Sequence, residues 1–303
     1  MDWFLQQLIN GLALGSIYAL IALGYTMVYG VLRFINFAHA DVLMLGAYAA
    51  YFLAPAVSTV IPLPSFTAAI LVTLLSMMIC AGIGILIEFL AYRPLRSRPK
   101  LTVLITAIGV SLFIEFACQH KSVFGADTKP FPKLLPATDY HLGGLAVSSN
   151  DIVVVVVTML LLGAMWFIVQ RTKMGTAMRA VSFNQQAAAL MGVNINRIIS
   201  FTFGLGSALA AVAGILYALK APGIEPLMGV QPGLRAFIAA VLGGIGNLPG
   251  AALGGLLLGL LETFAGGISG LSNYRDGIAF AILILILLFK PAGLLGKATV
   301  EKV

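Results

Sequence analysis

The chain has 303 residues, 60% of them hydrophobic and 10% charged, with a formal net charge of +7 and a mean hydropathy of +1.02. A soluble domain carries roughly 25% charged residues, so the composition excludes one and points to a polytopic membrane protein. The apolar runs show no period-2 alternation, which excludes an outer-membrane barrel and makes the spans helices. Much of the positive charge lies in short loops, where it sets orientation, and it is not a nucleic-acid footprint.

The N-terminus has Asp2 and no Lys or Arg before a run from Trp3 to Tyr29. That run is too long, and has the wrong flank, for a cleaved signal peptide, so it reads as a retained span. From Phe4 to Tyr29 it would be about 39 Å long as a helix, enough to cross a hydrocarbon core of roughly 30 Å. The next stretch, VLRFINFAHAD (31–41), sets Arg33, Asn36, His39 and Asp41 between apolar runs. The following run, Val42 to Leu53, is short, and fits a discontinuous or re-entrant helix as well as a full span. Amides at such a helix start favour a passing carboxylate, which makes Asn36, His39 and Asp41 candidate path residues. A cytoplasmic turn capped by Asn36 fits the same residues. Pro55, Pro62 and Pro64 mark an outer loop.

Ser65 to Tyr92 reads as one long helix that must tilt or protrude, with Glu88 near its inner end to snorkel or to pair with Arg93 or Arg96. Loop 93–100, RPLRSRPK, has four positive charges and no acid, so it is expected in the cytoplasm. Leu101 to Cys118 crosses outward with Glu115 near its outer end. Residues 120–151 form a longer outer loop, and Ile152 to Val169 returns inward. Cys80 and Cys118 both lie in apolar runs and read as small buried hydrophobes.

Residues 171–197 are a polar, basic island carrying Arg171, Lys173, Arg179 and Arg197 and no acid. Ser182 or Asn184 can serve as N-cap, Gln185 to Met191 holds good helix formers, and Gly192 can take the left-handed position that ends a helix. A rigid helix here suits docking into a groove on another protein. A solvated basic turn that only obeys the positive-inside rule fits as well.

Ile198 to Leu219 goes outward, 220–232 is a Pro/Gly-rich outer loop, and Gly233 to Gly244 is a short segment broken by GGIGNLPG (243–250). Ala251 to Ala265 and Tyr274 to Phe289 follow, and the tail with Lys297 and Lys302 is expected in the cytoplasm. This makes about eight or nine membrane segments, and an odd count would put the N-terminus outside. Leu14, Gly15, Ser16, Ala19 and Ala22 match Leu205, Gly206, Ser207, Ala210 and Ala213 at one offset. A repeat, common in transporters, and a chance alignment in a Gly/Ala-rich chain both explain this. Gly11 and Gly15, Gly250 and Gly254, and Gly255 and Gly259 allow close helix approach, within the chain or against a partner.

Ionisable groups inside a span have a pairing or pathway role. Glu262, deep in its span, is the best candidate for an interior role, with Arg235 as a possible partner. The chain has no His-Glu-x-x-His, Cys-x-x-Cys or Gly-x-Ser-x-Gly, and no Gly-x-x-x-x-Gly-Lys-[Ser/Thr] for phosphate binding.

The residues that carry a family likeness are NGLALGSIYALIALGYTMVYG (10–30), INFAHADVLMLGAY (35–48), AYRPLRSRP (91–99), MGTAMRAVSFNQQAAALMGVN (174–194), AAVLGGIGNLPGAALGG (239–255) and FKPAGLLGK (289–297). With these the chain resembles the permease subunits of bacterial high-affinity branched-chain amino acid ABC importers, of the Liv H type. Ala40 stands where the family pattern leads one to expect glycine.

The resemblance implies an all-α, type II-like importer permease in the bacterial inner membrane, working by alternating access and binding no cofactor itself. Its partners would be the lipid bilayer, a second homologous permease, a periplasmic amino-acid-binding protein, and two cytoplasmic ATPases that hold ATP and Mg. Ser182 to Gly192 would be the coupling helix on an ATPase. Gln185, Gln186, Ala188 and Met191 would make contact, with Asn184 at the start and Arg179 as a charge partner. Loops 120–151 and 220–232 would face the binding protein. Another neutral amino acid, urea or a short amide is the alternative cargo, and a stand-alone secondary transporter is the alternative class.

Overall fold

A computed structural model describes residues 2–96, 98–268, 270 and 274–296, without the side chains of Leu142 and Ala279. Lys297 and Lys302 lie outside the described residues. Eleven helices are described: α1 Asp2–Leu32, α2 His39–Ser58, α3 Phe66–Ile87, α4 Lys100–Gln119, α5 Ser149–Arg171, α6 Lys173–Phe183, α7 Gln185–Leu190, α8 Ile195–Lys220, α9 Val230–Gly243, α10 Leu248–Gly267 and α11 Arg275–Phe289. Seven of these segments are long and apolar enough to cross a bilayer. The chain is a multi-pass membrane protein. Helix α9 has 14 residues and α11 has 15, which gives the count of about eight or nine membrane segments.

The core is the helix pair α1 and α8, whose most apolar windows are 89% and 83% buried, against 17% for α4. Helix α1 lies antiparallel on α10 through glycines. A Cβ on Gly15 would come within 2.8 Å of the Leu256 Cα, and one on Gly259 within 2.2 Å of the Gly15 Cα. Gly250 and Gly254 press in the same way on Gly243 and Ala239 of α9. These small-residue faces therefore join helices of this chain.

The contacts sort the loops to two ends. At one end the Gln6 side chain bonds Ala146 of the 120–151 segment. Lys220 pairs with Asp151 at 2.7 Å, and the Phe124 ring stacks on Tyr48 of α2 at 4.1 Å. At the other end the Ser182 hydroxyl donates to the Gly30 carbonyl. Arg33 donates to Ser182, and Leu294 N–H bonds Leu242. The N-terminus thus shares an end with 120–151. The described tail shares the opposite end with 171–197.

Several expected boundaries differ. Helix α2 is 20 residues, not a short run from Val42. Its polar first turn is paired to neighbours, so polarity did not stop it. The expected single helix to Tyr92 ends at Ile87 and passes through a π-turn, Glu88–Tyr92, and a 3-10 turn, Arg93–Leu95. The 120–151 loop contains a hairpin of β2 Asp139–Leu142 and β3 Leu145–Ser148. Its β1, Lys129–Pro130, pairs with β4, Gly223–Ile224. The 220–232 loop stops at Val230, with Pro232 inside α9, where a proline in the first turn lacks only an orphan N–H.

The offset that carries Leu14 onto Leu205 also carries His39 onto Val230, the first residues of α2 and α9. Helix α1 runs from the hairpin end to the 171–197 end, and α8 runs the other way, so the two matching segments are antiparallel. The starts of α2 and α9 meet. A Cβ on Gly229 would lie 2.1 Å from the Ala40 carbonyl oxygen and one on Gly233 2.4 Å from the Ala40 Cβ. Gly233 makes room for the Ala40 methyl where glycine was expected, and Gly229 lets the chain approach the Ala40 carbonyl.

Candidate functional site

The 171–197 segment is built from caps. Thr172 accepts from Gly175 N–H at 3.1 Å and starts α6. Asn184 breaks the chain out of α6 and accepts from Ala187 N–H at 3.0 Å, starting α7. Ser182 is inside α6, so of the two expected caps Asn184 is the one used. Gly192 sits at φ 84°, donating to Ala189 at 2.9 Å while Val193 donates to Ala188 at 3.0 Å. These two bonds satisfy the last carbonyls of α7 as a Schellman end does. Asn194 then accepts from Arg197 N–H at 3.1 Å and starts α8. Every break has a cap, so the segment is a rigid elbow.

One face of the elbow is buried through Met178, Val181 and Ala188. The opposite face carries Phe183, Leu190 and Met191, 89%, 88% and 85% exposed. Gln185, Gln186 and Gly192 are exposed beside them. Ala188, expected as a contact residue, is 5% exposed and points inward. Helical phase turns it under α7 and brings Leu190 out in its place. Arg179 is folded back, its guanidinium donating to the Val169 carbonyl and to Thr176. Phe183 and Leu190 were missed, although large apolar side chains in a basic loop were the available signal.

The four candidate path residues do not converge. Asn36 accepts from the buried Tyr92 hydroxyl at 2.6 Å. The His39 ring fills the notch left by Gly24, edge-on to Tyr25 at 4.8 Å, with Nε2 unpartnered. Asp41 accepts from Ser111 of α4 at 2.5 Å. These three lie within six residues, Asn36 before α2 and His39 and Asp41 in its first turn, and face three different elements.

Glu262 is elsewhere, on α10 and 2% exposed. Its Oε2 accepts from the Tyr18 hydroxyl at 2.8 Å. Arg235 Nη1 lies 2.9 Å from its Oε1 without hydrogen-bond alignment, and Arg235 also donates to Asp276 at 2.7 Å. The charges of α9, α10 and α11 are thereby tied into one network around Arg235.

Glu88, expected near a helix end, is fully buried. It pairs with both Arg93 and Arg96 and accepts from Ser200 of α8 at 2.6 Å. Arg96 reaches on to Asn196 at 2.7 Å. Burial lowers the Arg96 guanidinium from its ordinary value, and Glu88 opposes that shift. The cluster fastens the inner end of α3 to the first turns of α8, just beyond the elbow. Cys80 and Cys118 are free and buried. Among the described residues, no three His, Cys, Asp or Glu come together as a metal site.

Residues 7–287 match the family described as "Branched-chain amino acid transport system / permease component". The chain belongs to this family. It is 44% identical to the high-affinity branched-chain amino acid transport system permease protein BraD of Pseudomonas aeruginosa, over 99% of this chain and 98% of that protein. It is 39% identical to the permease proteins LivH of Salmonella typhimurium and Escherichia coli, at the same coverage. No solved structure matches the chain.

Proposed function

We propose that the chain is the membrane-spanning permease subunit of an ATP-driven importer that passes leucine, isoleucine and valine delivered by a periplasmic binding protein. The observation that carries this reading, beside the family, is the apolar face of Phe183, Leu190 and Met191 on a capped elbow at one end of the bundle. An apolar patch held out of both the core and the bilayer marks a contact with another protein. Its basic, acid-free surroundings suit the cytoplasmic side, where an ATPase groove can take the face. The same sidedness puts 120–151, 220–229 and the N-terminus in the periplasm and the tail in the cytoplasm, in the inner membrane of a bacterium.

The partners in this reading are a second, homologous permease and two ATPase subunits, which carry ATP and Mg. Closure of the ATPase pair displaces α6 and α7. The Ser182–Gly30 contact passes the displacement to α1, and the Glu88 cluster passes the motion of α8 to α3. The core spans then tilt as blocks and expose the path alternately to each side. Asn36, His39 and Asp41, where α2 and α9 meet, and Glu262 with Arg235 are the polar groups near that path. A zwitterion with an apolar tail is passed without being trapped when such groups are few and already paired.

Purification of the chain from native membrane tests the reading. An ATPase pair and a related permease are expected to come with it, and the set reconstituted with its binding protein should take up leucine only with ATP. The Arg235–Glu262 pair favours one second reading, a self-sufficient secondary transporter with an ion relay. Leucine uptake by the chain alone, driven by a sodium or proton gradient, would establish that reading and overturn the first.

A further inference from the structure

A cavity of about 820 Å³, partly open to solvent, lies between the last turns of α1, helix α6, the 245–249 turn and the 291–296 segment. Two of its lining residues are cationic, Arg33 and Arg179, and among the described residues that line it none is Asp or Glu. Val31, Met178 and Ile245 contribute apolar surface. Thr26 lies in the wall, 1% exposed, with its hydroxyl unpartnered. Arg33 takes φ 56°, a left-handed conformation uncommon for a non-glycine residue. Arg33 lines the cavity, and its guanidinium donates to the Ser182 carbonyl at 3.3 Å. The volume is that of an ordinary small-molecule pocket. Its chemistry is the Arg33 guanidinium over an aliphatic wall, with the unpartnered Thr26 hydroxyl, while Arg179 is held by Val169 and Thr176.

We propose that this cavity is a regulatory site for a small carboxylate with an aliphatic tail, in the first place the imported amino acid after its release, and that occupancy restrains the coupling elbow. The proposal rests on the function proposed above. The carboxylate pairs with Arg33 and takes the unpartnered Thr26 hydroxyl as a second donor, and the tail lies along Val31, Met178 and Ile245. One wall is α1 and the other is α6, so any displacement of α6 against α1 reshapes the site. A ligand that prefers one shape shifts the equilibrium by its difference in affinity. The coupling is reciprocal, so the ATP-bound state must in turn weaken the ligand. Cytoplasmic product would then slow the ATPases and match import to need.

The test uses the whole importer in liposomes with leucine, 4-methylpentanoate or inorganic phosphate enclosed on the ATPase side. Enclosed leucine is expected to slow ATP hydrolysis by about fivefold or more, the lower range of allosteric couplings. Arg33→Asn, which tolerates the left-handed backbone, and Thr26→Val, which removes only a hydroxyl, should abolish the effect while uptake at low enclosed leucine persists. Slowing by 4-methylpentanoate that is lost in the same variants also supports a carboxylate site. Slowing that survives in both variants, slowing by phosphate alone, or no slowing by any probe overturns the proposal. Failure of the underlying reading looks different, because the wild-type importer would then show no ATP-driven leucine uptake.

Discussion

The α1–α8–α10 core and the α6–α7 elbow solve opposite problems with the same kinds of residue. In the core, small residues remove space between backbones, and large apolar side chains such as Tyr18 and Phe203 are fully buried. In the elbow, Gly192 and the Asn caps set direction, and the large apolar side chains Phe183, Leu190 and Met191 point out. Within lipid there is little hydrophobic drive between helices, so close van der Waals packing holds the core. In water the exposed apolar face is a cost unless a partner covers it. The core covers its own large apolar side chains, and the elbow leaves three of its own uncovered.

The largest effect that can break this comparison is a side chain in the glycine seam. Gly259→Leu would place atoms in the Gly15 backbone, and is expected to cost about 3 kcal/mol or more by overpacking. The yield of monodisperse protein in detergent should collapse. Next, Arg235→Ala leaves Glu262 buried beside Tyr18 with only the more distant Arg275, 3.9 Å away, as a cation, a loss of about 3 kcal/mol, the low end for a broken buried pair. Thermal unfolding should fall sharply, and recover in Arg235→Met combined with Glu262→Leu.

Leu190→Asp with Met191→Asp should do the reverse. Stability stays within about 0.5 kcal/mol because both positions are exposed. Retention of the ATPase should fall about tenfold or more, as for an interface hot spot near 2 kcal/mol. The smallest effect is Asn184→Ala, about 1 kcal/mol for a lost cap. It should appear as faster hydrogen exchange confined to 185–190, with only a modest loss of ATPase retention.

Much of the fold was legible because it follows from hydropathy and local capping. The spans, the Asn184 and Gly192 boundaries of α7 and the basic loops all rest on neighbouring residues or on composition. What was not legible depends on distant partners. Helix α2 starts at His39 because Tyr92, Gly24 and Ser111 receive Asn36, His39 and Asp41, which a hydropathy window reads as a break. The pairing of β1 with β4 joins two loops across the whole of α5 to α8. That Ala188 is buried and Leu190 exposed was not legible because α7 is only six residues long, and one cap position sets its phase. Glu262 was singled out as interior, and Arg235 as its possible partner. The Tyr18 bond and the link to Asp276 required the packing of three helices.

The most direct test of the coupling elbow is ATP-driven leucine uptake and ATPase retention measured together, in wild type and in Leu190→Asp/Met191→Asp, with the chain's folding checked by size-exclusion chromatography. A folded variant that loses both the ATPase and uptake is the predicted result. A folded variant that keeps the ATPase and takes up leucine at the wild-type rate would contradict it.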